Sequence, residues 1–141
     1  MNDSNYAAGA LALVGSGEYT PAMHDTDRLL LDTLGGPAAA RVVVIPTASG
    51  LEPGMPQRWN AMGVEHFSAL GATVTPVELV GRDDAHDEAV LAILRAANFF
   101  YFSGGNPEYV VETLRGTPAW QAITGGLARG AVLAGCSAGA M

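Results

Sequence analysis

Gly135-Cys136-Ser137-Ala138-Gly139 sets a hydroxyl between two glycines, directly after the apolar run Ala131-Val132-Leu133-Ala134. A side chain is held up at the end of a central strand only where the backbone turns sharply, and the two glycines give room for that turn. Ser137 then sits at the apex as a nucleophile. The N–H of Ala138, the next residue, is placed to stabilise an oxyanion on whatever carbonyl the hydroxyl attacks. A motif this short arises by chance in a chain rich in glycine and alanine, so its meaning depends on the elements that position it. It needs a buried strand before it and repeated strand-helix alternation across the chain.

Both requirements are met. Short apolar or β-branched runs at 10–14, 41–45, 73–77, 99–102 and 131–134 read as strands, with Pro76 marking the third as an edge strand or an early end. Between them, helices are expected at 22–34, about 57–70, after the acidic run 82–88, after Asn106-Pro107 and after Thr117-Pro118. Asn106 and Thr117 are suited to cap a helix, and a following proline suits the first helical position. The pattern is that of an α/β protein with a parallel, doubly wound sheet and helices on both faces. In such a sheet the carboxyl ends of the strands share one edge, where ligands bind. The residues expected to line one crevice there are Gly15, Ser16, Gly17 and Glu18, then Thr47, then Gly104, Gly105 and Asn106, then Ser137.

Other chemistries are weaker. Gly15-Ser16-Gly17 suggests a dinucleotide loop, but Thr20 stands where the third glycine belongs and the second strand ends at Ile45-Pro46 without an acid for a ribose. No nicotinamide site is expected. The run Arg82-Asp83-Asp84-Ala85-His86-Asp87-Glu88 reads as the acidic first turn of a helix rather than a metal site, and His24 and His66 have no ligand-spaced partner. Those two histidines are expected at the surface or partly buried on helices. No cofactor and no metal is expected. Seven arginines stand singly against fourteen acidic residues, a net charge of −7, which leaves no basic stripe for nucleic acid. The chain has no lysine, which excludes a Schiff-base enzyme and the lysine of a P-loop within it. One cysteine, no charged leader and no membrane-length apolar run suggest a single cytoplasmic domain over 1–141, with 1–7 as a flexible lead.

The diglycine turn Gly104-Gly105-Asn106 after an aromatic strand, followed by Gly135-Cys136-Ser137-Ala138-Gly139-Ala140, resembles the serine peptidase family of dipeptidase E and cyanophycinase. That family has the class I glutamine amidotransferase-like fold, with flavodoxin-like layering. The resemblance implies that Ser137 is the nucleophile, that Ala138 with Gly104 or Gly105 supplies the oxyanion hole, and that the substrate is a peptide or small amide, cleaved through an acyl-enzyme. A homodimer is among the partners it implies, and nucleic acid and membrane are not. Asn106-Pro107 departs from the pattern of cyanophycinases, so cyanophycin is not the expected substrate. Cys136 raises a cysteine-dependent amidotransferase as an alternative, but the central position of the motif is Ser137, and the preceding side chain should point away from the crevice. A second alternative is a non-catalytic module that holds a small carboxylate in the same crevice.

In the family the catalytic histidine and its acid follow the nucleophile, whereas His24, His66 and His86 all precede it. The expectation is therefore an incomplete domain, the N-terminal part of a serine hydrolase truncated after the elbow. It would be inactive as it stands, with base and acid missing after Met141. It should also expose an apolar sheet face and self-associate or dissolve poorly.

Overall fold

A computed structural model describes residues 9–141; the expected lead at 1–7 lies outside the described residues. Strands β1 (Ala10–Val14), β2 (Arg41–Ile45), β3 (Thr73–Pro76), β4 (Phe99–Phe102) and β5 (Val132–Cys136) form one parallel sheet in the order β1-β5-β4-β2-β3. Helices α1 (His24–Asp32), α2 (Met55–Ala69), α3 (Glu88–Ala96), α4 (Pro107–Leu114) and α5 (Pro118–Ala128) make the crossovers. All five expected strands are present, and β3, with Pro76, lies at a sheet edge.

Alternation along the strands decides which helix packs where. Val42, Val44, Phe99 and Tyr101 share a buried cluster with Leu31 of α1 and Phe67 of α2. Their neighbours Val43, Ile45, Phe100 and Phe102 share another with Leu91 and Leu94 of α3, Leu114 of α4 and Ile123 of α5. Successive side chains of a strand point to opposite faces, so the near-continuous apolar strands at the centre need helices on both sides. Burying each of these large side chains stabilises the fold by roughly 1.5–3 kcal/mol. The helix starts follow the expected chemistry: the Asn106 side chain accepts from the Tyr109 N–H, and Thr117 accepts from the Trp120 N–H.

Two local expectations need correction. Of the acidic run only Glu88 lies in the first turn of α3: Arg82–His86 is a separate 3-10 turn in which the Asp84 carboxylate accepts from the Val80 and Gly81 N–H groups. Asp87 alone caps α3, accepting from Ala89 and Val90. The first helix is likewise divided, a 3-10 turn at Pro21–Met23 preceding α1. Among the described residues no helix is long and apolar enough to cross a membrane.

Candidate active site

Register brings the site together. Val14 pairs with Cys136 and Phe102 with Gly135, so the chain leaves β1 and β4 on either side of the point where β5 ends. There Ser137 adopts φ +51, in the left-handed region. A non-glycine residue held in that region stores on the order of 1–3 kcal/mol, a cost met where surrounding structure over-determines the turn. The determinants are visible in the two glycines of the motif. A Cβ on Gly135 would collide with the Gly139 carbonyl, and one on Gly139 would collide with the Phe102 carbonyl and lie 2.6 Å from that of Ser103. The turn is folded back on its own strand and pressed against the end of β4. Ser137 itself is exposed.

The diglycine turn lies against Ser137. A Cβ on Gly104 would come within 3.4 Å of Ser137 Cβ and 3.9 Å of its Oγ. Gly105, at φ +154, crosses so close to Ala48 that any side chain would strike the Ala48 carbonyl. The same carbonyl accepts from the Asn106 N–H at 2.7 Å. Among the described residues the N–H groups of Gly104 and Gly105 donate to no backbone acceptor outside the helices and strands, and Gly104 is buried while Gly105 is exposed.

Ser137 opens on a crevice of about 330 Å³. One wall is Gly15, Ser16 and Glu18 from the loop after β1, another is Gly104 and Gly105, and the third is Glu52 with Met55 and Trp59 of α2. Three of the residues expected here do other work. Thr47 is fully buried, its hydroxyl donating to the Leu79 carbonyl at 2.6 Å. Asn106 faces α4 as its cap, and Gly17 (φ +87) is the bend of its loop, its carbonyl accepting from Thr20. Ala138 is buried, and its side of the elbow lines a different cavity. This third wall was not legible in the sequence: Met55 and Trp59 reach the crevice through the packing of α2, and Glu52 from the turn that precedes it.

The underside of the site is sealed. Tyr19, at φ +61, turns inward from the β1 loop and packs its ring 5.0 Å from that of Tyr101 and 6.2 Å from those of Trp59 and Phe67. Cys136 is completely buried in this cluster, and burial, with Glu18 beside it, pushes its thiol up to about 12. Burial likewise raises the Tyr19 and Tyr101 phenols, the carboxylates of Glu18 and Asp27 adding to it. Cys136 is not among the residues that line the Ser137 crevice.

His66 corrects the expectation of a surface or partly buried position. It is buried at 5% exposure, with Nε2 2.6 Å from Asp27 Oδ2, and the His24 ring lies 5.2 Å from its own. The pair joins α2 to α1 across 39 residues of sequence, a distance at which no spacing rule operates. His24, His66 and His86 all lie outside the lining of the Ser137 crevice. Among the described residues no group of three His, Cys, Asp or Glu side chains could hold a metal ion.

The other cavity, about 450 Å³, lies on the α4 and α5 side of the sheet, walled by Leu11, Leu13, Val111, Trp120, Leu133 and Met141. It is apolar and open: Leu11 and Leu13 are 61% and 67% exposed. The expected uncovered sheet face is there.

The sequence pattern of peptidase family S51 matches residues 11–141. The structure is similar to the crystal structure of a peptidase from an acI-B1 Actinobacterium, with TM-score 0.88 and 36% identity over 95% of this chain and 56% of that one. It is also similar to a putative peptidase E protein from Listeria monocytogenes EGD-e, with TM-score 0.66 and 25% identity over 93% of this chain and 59% of that one. The chain thus spans a little over half the length of these two proteins.

Proposed function

Because the chain belongs to peptidase family S51, we propose that it carries the nucleophile half of a serine peptidase, with Ser137 forming an acyl-enzyme on a peptide or small amide. The observation that carries this reading is the left-handed Ser137, exposed between the β1 loop and the diglycine turn. In the first step Ser137 Oγ bonds to the substrate carbonyl carbon while its proton passes through a base to the leaving nitrogen, and the C–N bond breaks. Water then hydrolyses the ester and restores the hydroxyl. The undonated N–H groups of Gly104 and Gly105, with that of Ala138, are the donors for the oxyanion formed in each step.

The base and its orienting acid come from residues outside these 141. The support is that no histidine lines the crevice and that the two solved relatives are longer than this chain. The same residues would cover the open apolar groove. Among the described residues the crevice walls hold two carboxylates and no cation, the wrong charge for a module that holds a small carboxylate.

Trapping tests this reading. Mass spectrometry of the full-length protein, quenched in acid during turnover of an amide substrate, should show an acyl group on the peptide containing Ser137, absent from Ser137→Ala. Turnover that survives in Ser137→Ala would contradict it.

A further inference from the structure

The turn from Gly17 to Thr20, in the loop after β1, breaks a local rule. It is closed by the Thr20 N–H and hydroxyl, which donate to the Gly17 carbonyl at 3.2 and 2.6 Å. Its third residue stands at φ +61, in the left-handed region that turns reserve for glycine or asparagine, yet that residue is Tyr19. A bulky side chain persists in such a conformation only where its surroundings over-determine it, and positions of that kind cluster at functional sites.

The surroundings of the ring show what it does. Tyr19 is 7% exposed and does not line the Ser137 crevice, but it meets the elements that carry all three of its walls. Its own loop supplies Gly15, Ser16 and Glu18. Its ring lies 6.2 Å from that of Trp59 in the α2 wall, and 5.0 Å from that of Tyr101 on β4, the strand that leads into Gly104 and Gly105. Helix α2 makes room for it: a Cβ on Gly63 would come within 3.0 Å of Tyr19 Cζ and 2.7 Å of Val44 Cγ1. Among the described residues no hydrogen bond joins the turn to α2, so the ring is what ties these two walls together. The Ser137 turn has its own support, since Gly135 and Gly139 are pressed against backbone carbonyls of the elbow and of β4.

We infer that Tyr19 is a positioning residue: its ring, wedged against Gly63, sets the spacing of the β1 loop from α2, and with it the width of the crevice that seats the substrate against Ser137. The last clause rests on the reading of the crevice as the substrate site.

The test uses the full-length protein with Tyr19→Ala, Tyr19→Leu and Tyr19→Phe. In turnover of an amide substrate, Tyr19→Ala should raise KM about tenfold and leave kcat within about twofold, because seating is lost while the Ser137 turn keeps its shape. Tyr19→Phe keeps the ring and should restore both constants. Tyr19→Leu, which keeps an apolar side chain in the slot, should show the same split in smaller measure and takes the place of the alanine variant if that does not fold. A second readout needs no turnover. With 5-fluorotryptophan incorporated, the Trp59 fluorine resonance, assigned by Trp59→Phe, should gain solvent isotope shift in Tyr19→Ala or Tyr19→Leu and not in Tyr19→Phe, while that of Trp120, in the groove on the other side of the sheet, stays put. A Trp59 resonance unmoved in both ring-deleting variants, a fall in kcat as large as that in kcat/KM, or a phenylalanine variant that behaves like the alanine one would overturn the inference. The fluorine signature stands even if Ser137 proves not to be acylated, and acylation of Ser137 stands even if Tyr19 proves dispensable.

Discussion

Strand β5 has two faces, and they are finished to different degrees. On the α1 and α2 side, Val132, Ala134 and Cys136 lie under Tyr19, Phe67 and Tyr101 with almost no exposed surface, and the buried Asp27–His66 pair ties the two covering helices together. On the α4 and α5 side, Leu133 is only partly covered, and beside it Leu11 and Leu13 of β1 are open to solvent. The elbow stands between them: Ser137 opens on the crevice walled by Trp59 of α2, while Ala138, Gly139 and Ala140 line the open groove. Everything that shapes Ser137 (β5, the diglycine turn and the β1 loop) is supplied by neighbouring segments of this chain and locked by packing. Among the described residues no histidine lines the crevice. On the proposed reading, the geometry of Ser137 and its reactivity are separable, and each can be broken alone.

The largest expected effect is on the closed face. His66→Ala leaves the Asp27 carboxylate buried with neither oxygen paired, since Oδ1 already lacks a partner. Breaking a buried pair on one side costs about 3–5 kcal/mol. The urea midpoint should collapse, and a midpoint unchanged would mean that the pair is not sealed. Next comes Gly139→Ala, where the added methyl has backbone carbonyls rather than a flexible side chain to displace. Overpacking of this kind costs about 1–3 kcal/mol. It should also tilt the elbow, so that labelling of Ser137 in the full-length protein falls further than stability does.

The Cys136 thiol and the Tyr19 and Tyr101 phenols are all held above their ordinary values by burial. Groups of this kind contribute stability that is complete below their unfolded values and lost as pH rises towards the folded ones. For Cys136 that window runs from 9.0 to about 12. Urea midpoints should be flat around neutrality and fall above about pH 9. Cys136 should resist iodoacetamide at pH 8 until denaturant is added, and rapid alkylation of the native protein would contradict the closed face. The smallest effect belongs to the open side. Leu13→Ser removes a side chain that is 67% exposed, so stability should change by only about 0.5 kcal/mol. Self-association of the 141-residue chain, read by sedimentation, should diminish.

The sequence revealed much of the fold because the strands are unambiguous: Arg41–Ile45 and Phe99–Phe102 are β-branched or aromatic, short, and closed by proline or glycine. Gly135 and Gly139 were legible for the same reason, since a backbone turned against carbonyls tolerates nothing larger. What escaped was set by tertiary angle rather than by local pattern. His66 finds Asp27 only when α1 and α2 lie side by side. Trp59 enters the crevice because of where α2 crosses the sheet, and Glu52 from the turn before that helix. Thr47, a polar residue after a strand, had the right address for the crevice, yet its hydroxyl was drawn inward to satisfy the buried Leu79 carbonyl.

The separation of geometry from reactivity is tested most directly by fluorophosphonate labelling of the 141-residue chain and of the full-length protein, each beside its Ser137→Ala variant. The account predicts that the full-length protein labels at Ser137, that its variant does not, and that the 141-residue chain, folded by circular dichroism, stays unlabelled. Labelling of the short chain at Ser137 would contradict it, because the base would then lie within these residues.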